Sequence, residues 1–81
     1  MSETISRRIN MIGLIPRHPA KTYTNEIKGK LNDLGYETTL RTIQRDLHEL
    51  SRFFPIVSDE RSYPFGWSWK KDAKVYESPA M

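Results

Sequence analysis

Apolar residues recur at helical spacing in three stretches of this chain and then switch to alternation in a fourth. Ile5, Ile9 and Ile12 stand three or four apart, ahead of Leu14, Ile15 and the Pro16 and Pro19 pair. Proline lacks an amide donor and restrains the residue before it, so a first helix within 4–15 is predicted, with its isoleucine stripe on the core. Lys21, Thr22 and Tyr23 leave room for a short strand or an extended lead-in. Ile27, Leu31 and Leu34 set a second stripe over 25–34. Thr24 is its expected N-cap, Glu26 complements the dipole of its first turn, and Gly35 supplies the left-handed stop. Leu40, Ile43, Leu47, Leu50 and Phe54 form the third and longest stripe, behind a Thr39 cap, and predict a helix over 39–54.

Beyond Pro55 the period changes. Residues 56–60 read as one strand, 61–64 as a turn or loop, and 65–70 as a second strand. Phe65, Trp67 and Trp69 fall on one side of that strand; Gly66, Ser68 and Lys70 fall on the other. An aromatic row of this kind serves either as a stacking platform for single-stranded nucleic acid or as the lid of a core. In so short a chain the core role is expected. Only residues 35–38 separate the second helix from the third, the arrangement of a helix-turn-helix, and a hairpin directly after the recognition helix is a wing. The expected fold class is therefore α+β. It is a winged helix-turn-helix of three helices and a two-stranded β-hairpin over 1–70, followed by a linker or tail over 71–81 in which only Val75 and Tyr76 are expected to pack.

The outer side of the third helix carries Arg41, Gln44, Arg45, His48 and Arg52. A basic outer face is often no more than a solvated surface. The helix-turn-helix context changes that reading, because such a helix enters the major groove by its N-terminal end. Arginine matches guanine O6 and N7 with two hydrogen bonds, and glutamine matches adenine N6 and N7. Arg41, Gln44 and Arg45 are thus the expected base readers. Thr39, Thr42 and His48 are expected against the DNA backbone, supported by Thr24 from the second helix and by Arg61, Tyr63 and Lys70 from the wing. Asp46 is expected to be an internal salt-bridge partner or to orient Arg45. Arg7 and Arg8 are left between phosphate contact and solvent.

Composition narrows the class. Thirteen Lys and Arg against ten Asp and Glu give 81 residues a net charge of +3. That favours an anionic partner only if the charge is gathered on one surface. There is no cysteine, hence neither a disulfide framework nor a thiolate metal site. No apolar run approaches the roughly 18 residues of a membrane span, and no signal-like segment opens the chain, so a cytoplasmic location is expected. His18 and His48 lie on different elements without carboxylates at ligand spacing, and neither a glycine-rich phosphate loop nor a nucleophile elbow appears. No enzyme, metal, cofactor or small-molecule ligand is expected.

The run Arg41-Thr-Ile-Gln-Arg-Asp-Leu-His-Glu-Leu50 resembles the recognition helix of the DeoR-type winged helices that begin bacterial WYL-domain transcription regulators. The resemblance extends to Phe54-Pro55-Ile56 and to Pro64-Phe-Gly-Trp-Ser-Trp-Lys-Lys-Asp-Ala73, and more loosely to Ile5–Leu14 and Thr24–Leu34. It implies sequence-specific binding of double-stranded DNA, usually repression, often as a homodimer, in a bacterial or phage setting. In those larger regulators the domain leads into a ligand-sensing WYL domain, which has no counterpart in these residues, so effector sensing is not carried over. The alternative is a winged helix used for protein contact, as an anti-repressor or assembly factor.

Overall fold

The computed structural model describes residues 3–61 and 65–72. They form α1 (Glu3–Leu14), β1 (Thr22–Tyr23), α2 (Thr24–Asp33), α3 (Leu40–Leu50), β2 (Ile56–Asp59) and β3 (Gly66–Trp69). Three helices and a small antiparallel sheet give the α+β architecture of a winged helix-turn-helix. The tail over 73–81, with Val75 and Tyr76, lies outside the described residues.

The sheet is larger than the expected hairpin. Its order is β1-β3-β2, so the short segment after Pro19 contributes a third strand. Thr22 stands opposite Trp67 and Tyr23 opposite Gly66 on one side of β3; Ile56 stands opposite Trp69 and Asp59 opposite Gly66 on the other. The Pro16 turn adds to the same edge, since the Trp69 amide donates to the Pro16 carbonyl at 2.8 Å and the His18 amide to the Trp69 carbonyl at 3.1 Å. The short strand that Lys21, Thr22 and Tyr23 left room for is present as β1, but two residues carry too little pattern to say that it pairs with β3. Its consequence is that β3 is a central strand, and Gly66 and Ser68, expected on an outer face, are buried along with Trp67 and Trp69. Lys21 and Tyr23 lie over Gly66, where a Cβ would come within 2.7 Å of Lys21 Cδ and 3.2 Å of Tyr23 Cε1.

The core gathers Met11, Ile12 and Ile15 from α1 and its exit, Ile27 and Leu31 from α2, Ile43, Leu47 and Leu50 from α3, and Ile56, Trp67 and Trp69 from the sheet. The isoleucine stripe of α1 is only partly used. Ile12 is buried, but Ile5 and Ile9 remain 53% and 48% exposed, because the core meets the C-terminal half of the helix. Leu34 and Leu40, at the edges of their stripes, are exposed as well. The other long expectation to change is the end of α3: the helix stops at Leu50, and the amides of Phe53 and Phe54 both donate back to the Leu50 carbonyl in a tightened turn. That turn leaves Phe53 in solvent and sets Phe54 edge-on against Trp69, with ring centroids 6.1 Å apart.

α2 begins one residue earlier than expected. Tyr23, in extended conformation, is its N-cap and offers no side-chain capping bond, while Thr24 is the first helical residue. The stop is as expected. Gly35 has φ 94, and the amides of Gly35 and Tyr36 close onto the carbonyls of Asn32 and Leu31 at 3.0 and 2.9 Å. No helix among the described residues is long and apolar enough to cross a membrane.

Candidate nucleic-acid interface

A local cap orders the start of α3, and two sets of contacts tie the helix and the turn before it to α1. At the start of α3 the Thr39 hydroxyl accepts from the Thr42 amide at 3.2 Å, and the same hydroxyl donates to Thr42 Oγ1 at 3.1 Å. Before that, the Tyr36 hydroxyl is hydrogen-bonded to Ser6 Oγ and accepts from Asn10 Nδ2 at 3.3 Å, which pins the turn between α2 and α3 to α1. In the middle, Asp46 turns inward and receives Arg7 Nε at 2.7 Å and Arg8 Nε at 3.0 Å. Its side chain is 4% exposed, so this carboxylate belongs to the interior. Asp46 is thus the internal salt-bridge partner expected of it. Arg7 and Arg8 spend Nε hydrogen bonds there, a role neither phosphate contact nor solvent describes.

The outward face shows what remains. Arg41 and Arg45 are exposed, and neither guanidinium has a hydrogen-bond or ion-pair partner among the described residues. The other described arginines, Arg17 excepted, are paired with carboxylates: Arg7 and Arg8 with Asp46, Arg52 with Glu49 at 3.4 Å, and Arg61 with Asp59. Gln44 is half-buried beside the two free arginines, and Thr42 is half-buried below them. His48 continues the face one turn on. Its exposed ring stands edge-on to Trp67, with centroids 5.4 Å apart and planes at 80°, so it joins α3 to the central strand.

The first turn of α3 contains no acid. Asp46, next to Arg45 in sequence, is turned inward and matched by Arg7 and Arg8, and Glu49, one helical turn beyond Arg45, is paired with Arg52. Arg41 and Arg45 therefore present positive charge that no hydrogen bond or ion pair among the described residues takes up. Thr39 is the cap that the sequence indicated. Its proton is directed at Thr42, which leaves the Thr42 hydroxyl the better placed of the two to donate outward.

At the wing the expected residues divide. Arg61 is exposed but grips Asp59 with Nε at 2.9 Å and Nη2 at 2.8 Å, and its amide donates to the same carboxylate at 3.1 Å. Lys21 Nζ donates to Oδ2 of the same carboxylate, the oxygen that also accepts from Arg61 Nη2. Arg61 and then Lys21, with the Arg61 amide, hold the Asp59 carboxyl well below the usual carboxylate range, and Asp59 raises Arg61 in return. Lys70 is exposed past the end of β3. Tyr63 lies outside the described residues. Thr24 requires a correction: it is fully buried, and its hydroxyl has no hydrogen-bond partner among the described residues, so it cannot reach a phosphate from where α2 holds it. The single-strand stacking alternative also fails for Trp67 and Trp69, each 1% exposed.

Sequence reasoning missed the Asp59, Lys21 and Arg61 clamp: Arg61 is a local partner two residues from Asp59, but Lys21 reaches it only through the folding of the segment before β1 against the sheet. It also missed the partners of Asp46, for which a signal was present. Asp46 sits three residues from Ile43 and four from Leu50, on the apolar side of the helix, and an acid in that position calls for a cation from a neighbouring element. Among the described residues no group of His, Asp and Glu is arranged to hold a metal ion. Compared with family models, curated proteins and solved structures, the chain matches none.

Proposed function

We propose that this chain is a sequence-specific, double-stranded DNA-binding transcription regulator of the bacterial or phage cytoplasm, a repressor that reads the major groove with α3. The observation that carries the reading is the selective freedom of Arg41 and Arg45. Most other described arginines are neutralised within the fold, while these two have no partner among the described residues and stand on the N-terminal half of the helix that a winged helix-turn-helix inserts into DNA. Arg41, Gln44 and Arg45 read base edges; Thr42 and His48 approach the backbone, with Thr39 as the cap behind them; Arg61 and Lys70 contribute from the wing. The resemblance of the Arg41–Leu50 run to DeoR-type recognition helices supports the same assignment. A single module of this kind buries roughly 600 to 1,000 Å² on DNA, so the reading includes a homodimer on an inverted repeat.

The test is a fluorescence-anisotropy titration of a labelled duplex from the upstream region of the chain's own gene, with random duplex as competitor, at two salt concentrations. Binding that survives the competitor and weakens steeply with salt supports the reading, since each neutralised phosphate adds about 0.9 to the log-log slope. Salt-independent behaviour, or no binding, overturns it.

One observation favours the alternative, a protein-contact module. Ile5, Arg8, Ile9, Ile12, Leu50 and Phe54 line an open apolar groove of about 350 Å³ between α1 and the end of α3. A protein ligand seated there would bind with weak salt dependence and would be insensitive to Arg41 and Arg45, which lie on the opposite side of α3.

A further inference from the structure

Resting on the reading of α3 as a major-groove helix, we infer that each DNA half-site carries two guanines within about two base-pair steps of each other, one met by Arg45 and the other by Arg41. Three features of the helix lead there. The first is direction. The buried residues Ile43, Leu47 and Leu50 define the inward side of α3, and at 3.6 residues per turn Arg41 and Arg45 straddle the opposite direction, only about 40° apart. They therefore aim at the floor of a groove that receives this helix, while Thr42 and Gln44 to either side face its walls.

The second feature is spacing. Four residues advance a helix by about 6 Å, against about 3.4 Å per base pair of duplex. Two side chains set so far apart meet bases about two steps apart if the helix follows the groove, and adjacent ones if it is inclined across it. The third is availability. A guanidinium already bonded to a carboxylate must lose that partner before it serves a base, as would be the case for Arg7, Arg8, Arg52 and Arg61. Arg41 and Arg45 have no such partner among the described residues. An unpartnered guanidinium on a groove floor is best satisfied by guanine, the base that offers two major-groove acceptors, O6 and N7, in a matching fork.

The experiment is selection of duplexes from a random library by the full 81-residue chain at near-physiological salt. The selected site is then remade with 7-deazaguanine at each guanine in turn, which removes the N7 acceptor and leaves base pairing in place. The expected outcome is a guanine pair in each half-site, with binding weakened roughly 5- to 100-fold by each replacement. Arg45→Ala should abolish discrimination at one guanine and leave the other intact, and Arg41→Ala should do the reverse. Both side chains are exposed and unpaired, so circular dichroism of the variants should match the parent. A selected site without the guanine pair, or one indifferent to 7-deazaguanine, overturns the inference while the DNA-binding reading stands. Failure to enrich any duplex overturns both.

Discussion

The residue on which most depends is Asp46, although it touches neither solvent nor any proposed ligand. Its carboxylate is held by Arg7 and Arg8 of α1, whose side chains are 13% and 36% exposed. A buried acid of this kind is costly to desolvate, and the cost is offset only while both partners stay in place. Asp46→Ala would leave two cations against the core with no counter-charge. The expected loss, discounted for the partial exposure of Arg8, is about 2 to 4 kcal/mol at neutral pH by urea denaturation. A loss below about 1 kcal/mol would show that the pair is solvent-screened and not an anchor. Thr39→Ala probes a different kind of anchor. It removes the acceptor of the Thr42 amide and should cost about 1 kcal/mol, whereas Thr39→Ser should restore most of it. Equal losses for the two variants would assign the effect to the methyl group and not to the cap.

At the scale of elements, the helices were legible in their stripes, helped by the prolines after α1, by Gly35 after α2 and by the Thr39 cap before α3, whereas the Thr24 cap and the extension of α3 to Phe54 were misread. Gly35 announced the end of α2 through the one conformation that favours glycine, and φ 94 is what the structure shows. What stayed hidden was pairing across the sheet. Nothing in Thr22 and Tyr23 alone says that they will flank Trp67 and Gly66, since a strand of two residues gains its stability from its neighbours and not from its own pattern. For the same reason the Thr24 hydroxyl was mistaken for a surface group. The unpaired state of Arg41 and Arg45 was equally invisible, because it depends on where Asp46 turns.

The Asp59 clamp makes this cross-element dependence measurable. The folded-state pKa of Asp59 is lowered by Arg61 and Lys21. Its contribution to stability is therefore fully present above the ordinary carboxylate value of 3.8 and is lost as pH falls below it towards the folded value. Asp59→Asn should lower the thermal midpoint at pH 7 and flatten its dependence on pH between about 5 and 2, relative to the parent. An unchanged acid limb in the variant would mean that the exposed clamp contributes nothing through ionisation.

The described residues measure 31 × 31 × 21 Å along their principal axes, and that breadth constrains how two copies share an operator. Half-sites one helical turn apart place two such domains on the same side of the duplex with centres about 34 Å apart. Bodies 31 Å wide then stand side by side, close enough to touch without overlapping. At two turns the centres are about 68 Å apart, too far for the described parts of the two copies to touch. An added half turn carries one copy to the far side of the duplex. A spacing series therefore separates a homodimer formed through these domains from independent occupancy. Sedimentation of the chain on duplexes with half-sites at one, one and a half and two turns should show cooperative binding of two copies only at the first. Two copies bound with equal, independent affinity at all three spacings would rule out contact between the domains and place any dimerising element elsewhere. The mode of binding is read separately in the salt slope. If both copies present Arg41, Arg45 and their backbone contacts, the slope for the two-copy complex should be about twice that for one half-site, because counterion release adds phosphate by phosphate. A slope that did not grow with the second copy would mean that it is held by its neighbour and not by DNA.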